Sequence, residues 1–167
     1  MKTPLLALFL LMSIPAAAQS ADTLYQQACG PKDASFVVEQ IKGQPATPEP
    51  GKALVYIIQK ESGTHFTTRV GLDGAWVGVV QRDSYIPVSV APGEHHLCAA
   101  SQDRRNPDAE LVHFMAEAGK VYYYLVRGTA ANVGAGAFLT MQFDAVDRDE
   151  ALYLIASDPQ SVAKPKP

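Results

Sequence analysis

From Ala53 onward the apolar residues recur mostly with the two-residue period of β-strands rather than the 3.6-residue period of helices. The segment ALVYIIQ (53–59) is apolar or aromatic on both faces, which predicts a central strand covered on two sides. HFTTRVGL (65–72) alternates instead, with Phe66, Val70 and Leu72 on one face and Thr67 and Arg69 on the other. Asp73-Gly74 follows, a two-residue hairpin signal whose preferred turn needs positive φ at both positions, and AWVGVVQ (75–81) returns from it. A turn at Arg82-Asp83 leads into SYIPVSV (84–90), where Pro87 predicts an edge or a bulge. Pro92-Gly93 then turns the chain into a strand starting at Glu94, along which Leu97 and Ala99 continue the apolar face.

Residues 110–128 (ELVHFMAEAGKVYYYLVRG) predict a further hairpin, with Val112, Phe114 and Ala116 inward, a turn at 118–120 and a return strand through Tyr122, Tyr123 and Tyr124. A loop is expected at Gly128–Gly136, then an alternating strand in which Leu139, Met141 and Phe143 oppose Thr140, Gln142 and Asp144. The pattern then changes to helical: Asp147 can cap, and Glu150 three residues on completes a capping-box spacing. The final PQSVAKPKP predicts a frayed tail. Upstream, the prolines of KGQPATPEPG (42–51) exclude a helix or a central strand, and SFVVEQI (35–41) is left as an edge strand or a segment packed across a sheet.

The opening MKTPLLALFLLMSIPAAAQSA has a basic start at Lys2, an apolar run from Leu5 to Met12 and small residues at 16–18, the pattern of a secretory signal peptide with cleavage after 18 or 20. The apolar run is too short for a spanning anchor, which needs about 20 residues. The expected organisation is a signal peptide over 1–18, an extended N-terminal segment over 19–50, a β-sandwich domain over 51–157 and a disordered tail over 158–167. The expected fold is mainly β, an antiparallel β-sandwich of about seven strands with a short C-terminal helix.

Charge narrows the partners. Fourteen basic against 17 acidic residues, with the basic ones scattered, argue against nucleic acid, which needs a concentrated basic surface. An exported chain with two cysteines, Cys29 and Cys98, predicts one disulfide worth about 4 kcal/mol in the chain-entropy model. The rival readings are two free thiols, a soft-metal site, or a nucleophilic Cys98 assisted by His96.

Nucleophile-elbow, phosphate-loop, zinc-protease and dinucleotide-turn motifs are absent from the sequence, and no cofactor or catalytic residue is predicted. In APGEHHLCAAS (91–101) adjacent residues of a strand face opposite ways, so His95 projects with Leu97 and His96 with Cys98. His95, His96 and His113 are therefore weak metal candidates, and the turn-and-strand reading of this stretch is preferred. Candidate binding residues are Asp73, Gly74 and Trp76 at the hairpin, Tyr122 and Tyr124 on the aromatic strand, whose rings could stack on sugars, and Asn132 in the following loop. Trp76 is read first as a plug of the core.

PEPGKALVYII, VGLDGAWVG, SYIPVSVAPGEHHLCA, HFMAEAGKVYYYLVR and DAVDRDEALYLIA together resemble the bacterial family catalogued as domain of unknown function 2846, over most of Pro48 to Ala156. APGEHHL also resembles, locally, the turn of PEGA β-sandwich modules. The family resemblance implies an exported, sandwich-like domain and transfers no activity, ligand or catalytic residue. The resulting expectation is a periplasmic or secreted, non-enzymatic binding or accessory module whose partner is another envelope protein or cell-envelope component. The alternatives are a histidine-based metal-binding protein and a cell-wall glycan hydrolase, the latter requiring a convergent carboxylate pair.

Overall fold

The computed structural model describes residues 20–61, 65–102, 109–133 and 136–166, the side chains of 130–139 excepted. Residues 1–18, expected to be a signal peptide, lie outside the described residues. In chain order the elements are α1 (Ala21–Ala28), β1 (Phe36–Ile41), β2 (Ala53–Glu61), β3 (Thr67–Leu72), β4 (Ala75–Gln81), β5 (Ser84–Val90), β6 (Gly93–Ser101), β7 (Ala109–Ala116), β8 (Val121–Val133), β9 (Gly136–Ala145), α2 (Arg148–Ser157) and β10 (Gln160–Pro165). The strands form a six-stranded sheet, β1-β10-β5-β2-β8-β9, and a four-stranded sheet, β4-β3-β6-β7.

β2 shows why the sequence pattern works. It lies between β5 and β8, and Ala53 to Gln59 are buried on both faces. Ala53, Val55 and Ile57 join a core cluster that also takes Val70, Val80, Leu97, Ala99 and Phe114 from the four-stranded sheet. Leu54, Tyr56 and Ile58, on the other face, pack with Ala151, Leu154 and Ile155 of α2. Full burial of such aliphatic side chains contributes about 1.5–3 kcal/mol each, so the strand is anchored from both sides.

Local chemistry sets several boundaries. Asp73 (φ 50°) and Gly74 (φ 83°) both adopt positive φ in the β3–β4 turn, as the Asp-Gly pair predicts. Asp147 caps α2 by accepting the Asp149 N–H at 2.8 Å. The Glu150 carboxylate pairs with Arg127 at 3.1 Å. β10 meets β5 at the single register pair Gln160↔Tyr85, so β5 is effectively an edge where Pro87 sits.

The structure corrects four expectations. Ten strands are present among the described residues rather than about seven, and the pairing is mixed: β2 runs parallel to β8 through a long register and β10 parallel to β5. The expected Gly128–Gly136 loop is largely strand, with Gly128 to Val133 pairing Met141 to Gly136. The expected disordered tail is β10, which pairs residue by residue with β1 from Gln160↔Ile41 to Pro165↔Phe36. Edge pairing of this kind rests on backbone hydrogen bonds that polar composition does not forbid, and it is reinforced by a buried Ser84–Ser161 hydroxyl pair at 2.8 Å. Finally, the segment 19–50 is not wholly extended. It begins with α1, whose N-cap Ser20 accepts the Thr23 N–H at 3.2 Å, and it includes β1 as an edge strand.

Candidate functional site

An eight-residue helix such as α1 is marginal in isolation, so docking must hold it. Cys29, directly after α1, is joined to Cys98 of β6 with Cα atoms 5.3 Å apart. Both cysteines are buried, with Ala28 and Ala100, in a small apolar cluster flanked by Tyr25, Trp76 and Ala109. The chain from Ser20 to Ala34 thereby forms an arm over β3, β4 and β6. Trp76 secures it: the indole Nε1–H donates to the Pro31 carbonyl at 2.9 Å, and the ring lies so close over Gly30 that any Cβ there would collide with it.

Arg69 points outward, as its alternation predicts, yet it is only 8% exposed because the arm covers it. Its guanidinium donates to the carbonyls of Lys32 (3.0 Å), Ala34 (2.9 Å) and Ser101 (3.2 Å) and stacks 4.6 Å from the Trp76 ring. Charge-assisted hydrogen bonds of this kind repay the burial of the cation. Sequence reasoning missed this residue, since nothing local distinguishes an outward arginine in water from one under an arm.

The hairpin tip meets the helix. A Cβ on Gly74 would lie 2.8 Å from the Gln26 carbonyl, so the Asp73-Gly74 turn is packed against α1 rather than free on all sides. Between arm and hairpin lies an open depression of about 450 Å³, lined by Asp22, Tyr25, Gln26, Lys32 and Gly74 among others. The Lys32 ammonium sits 3.1 Å from the Asp22 carboxylate and 4.9 Å from the Tyr25 ring centre. This pair is exposed and adds little stability, but it places a cation, an anion and an aromatic face at one mouth.

Asp73 binds two residues of β6. One carboxylate oxygen accepts the His96 backbone N–H at 2.9 Å and the other lies 2.6 Å from His95 Nδ1, while His95 Nε2 is 2.7 Å from the Ala91 carbonyl. A carbonyl and an ionised carboxylate can only accept, so the ring makes both hydrogen bonds only as the imidazolium, with both nitrogens protonated. Burial opposes that charge, but the hydrogen bonds to Ala91 and Asp73 and the charge of Asp73 outweigh it and raise the pKa.

The remaining candidates separate. Tyr124 is 5% exposed and packs edge-on between Phe114 and Phe143, so it belongs to the core and offers no binding surface. Tyr122 is half-buried on the same face, its hydroxyl accepting the Glu117 N–H at 3.0 Å. Tyr123 faces the opposite way and stacks on Tyr56, whose hydroxyl holds the proline-rich segment through Ala46. Asn132 lies in β8 opposite Ala137, and its side chain falls outside the described residues. His95 is turned away from His96 and locked on Asp73, whereas His96 and His113 stand directly opposite each other across β6 and β7. The three candidate histidines therefore do not converge.

Among the described residues, no three histidine, cysteine, aspartate or glutamate side chains form a group able to hold a metal ion. Asp73 and Asp83 occupy the turns at the two ends of the seven-residue β4. A strand that long spans about 23 Å, beyond the roughly 5–9.5 Å that separates glycosidase carboxylates. The chain matches no protein-family model, no curated protein and no solved structure.

Proposed function

We propose that this protein is a non-enzymatic binding or accessory module of the bacterial cell envelope, periplasmic or secreted, that engages another envelope protein or an envelope component. The observation that carries this reading is the disulfide-stapled arm, which fixes Asp22, Tyr25 and Lys32 around one depression beside the Asp73-Gly74 hairpin. A pre-ordered surface binds without first losing the conformational entropy of a loose segment. Export is supported by the signal-peptide pattern and by the disulfide, which persists in oxidising compartments. Among the described residues no helix is long and apolar enough to cross a membrane. Membership in the domain of unknown function 2846 family is part of the same proposal and rests on the five segments that resemble it. A β-sandwich arrangement is supported by the core cluster, which draws side chains from both sheets.

The test is cross-linked capture from the native envelope, with the tag on a flexible linker beyond Pro167 because β10 belongs to a sheet. A stoichiometric partner that is retained by the native protein and lost in a Lys32→Glu, Tyr25→Ala variant supports the reading. Recovery of the protein alone, or a partner indifferent to that variant, overturns the assignment of the surface.

A further inference from the structure

The outer face of the four-stranded sheet continues beyond the arm along β6 and β7. Glu94, His96 and Cys98 alternate outward on β6, and their register partners on β7 are Met115, His113 and Leu111. Cys98 is sealed in the disulfide under the arm. The two rungs beyond it are open: His96 and His113 expose 37% and 56% of their side chains, and Met115 is 58% exposed. The two imidazole rings are 5.3 Å apart, and the Glu94 carboxylate reaches both, 3.1 Å from His113 Nε2 and 3.7 Å from His96 Nε2.

We propose that His96, His113 and Met115 form a surface copper(I) site on the β6–β7 face. Directly opposed residues bring their Cβ atoms within about 5.5 Å, and diagonal neighbours at about 7–8 Å remain within reach of long side chains. Met115 is the diagonal neighbour of His96 and lies two residues from His113 on the same face. The donor set explains the choice of ion: a thioether with two imidazoles favours the soft monovalent copper ion over zinc, magnesium or calcium. Both cysteines are committed to the disulfide, so the soft donor left on this face is a thioether, which forms no disulfide in an oxidising compartment. Met115, 58% exposed beside two histidines, gains little from burial, so packing accounts poorly for its place. Glu94, 3.1 Å from His113 Nε2, is placed to orient that imidazole from outside the donor set, as carboxylates commonly do for ligating histidines.

The site goes beyond the proposed binding function and stands or falls separately from it. Copper(I) would be added anaerobically to the intact, disulfide-bonded protein under ascorbate, with affinity read by competition against a chromogenic copper(I) chelator. The expected result is one equivalent bound, at least tenfold weaker binding for His96→Gln and for His113→Gln, and a copper–sulfur scattering distance in X-ray absorption that disappears in Met115→Leu. These side chains are exposed, and unchanged circular dichroism and a retained disulfide would show that the variants are folded. No stoichiometric binding, affinity unchanged in the His96→Gln, His113→Gln double variant, or sulfur scattering that persists in Met115→Leu overturns the proposal.

Discussion

Two halves of one sheet face behave differently. Both present side chains that alternate outward from β3, β4, β6 and β7. Under the arm, Arg69, Trp76 and Cys98 are enclosed by residues 20–34 and held by a disulfide, an indole hydrogen bond and three carbonyls on one guanidinium. Beyond it, Glu94, His96, His113 and Met115 stay open to solvent. Alternation places both sets on the outside, and only the docked arm makes one of them an interior. A polar residue on the outer face of a sheet is thus defined by what covers it, which its own strand does not encode.

Breaking the arm should erase the difference. Replacing Cys29 and Cys98 by alanine closes no loop across their 69-residue separation, and stability should fall by about 4 kcal/mol. Denaturant unfolding would measure the loss, and hydrogen exchange should rise across residues 21–34 while β6–β7 beyond the arm changes little. Unaltered exchange in the arm would mean that the remaining contacts suffice to hold it. Trp76→Ala removes a half-buried ring and the Pro31 hydrogen bond, and should cost about 2 kcal/mol. Combined with the cysteine substitutions it should cost markedly less, because both act through the same docked segment.

A smaller effect, read by pH, belongs to His95. The His95 pKa is raised above its ordinary value of 6.5, so its stabilising contribution is complete below about pH 6.5 and is lost as pH rises through the folded-state value. Urea midpoints between pH 5 and 9 should show this decline, and Asp73→Asn should reduce it. A profile that is the same in His95→Gln would place the dependence elsewhere. The smallest effect belongs to Ser20. Removing its cap by Ser20→Ala should cost about 0.5–1 kcal/mol, seen as faster exchange confined to α1. Processing after Ser20 would remove the same cap, so the mature N-terminus, read by mass spectrometry, bears directly on how firmly the arm begins.

Much of the fold was readable wherever a short segment carries its own physical instruction. The apolar run of β2, the Asp-Gly turn and the Asp147 cap are local, and each appears where the sequence places it. The Cys29–Cys98 pair was readable because two cysteines allow one pairing. The tyrosine strand was less so: Tyr122 and Tyr124 share a face, but whether that face is buried depends on Phe114 and Phe143 from strands that sequence proximity does not rank. In the candidate metal set His96 and His113 were visible as residues. His95 was named with them, but the structure turns it to Asp73, and Met115 was not singled out.

The sequence by itself determined strand periodicity, turn positions, the terminal helix and the covalent staple, because each follows from residues close together or from simple pairing. The tertiary structure alone decided that β2 and β8 run parallel, that 160–165 links β1 to the six-stranded sheet, and that the arm buries Arg69. These are long-range choices among many backbone partners of similar hydrogen-bonding capacity, settled by which arrangement buries the most apolar surface while pairing the backbone groups it encloses.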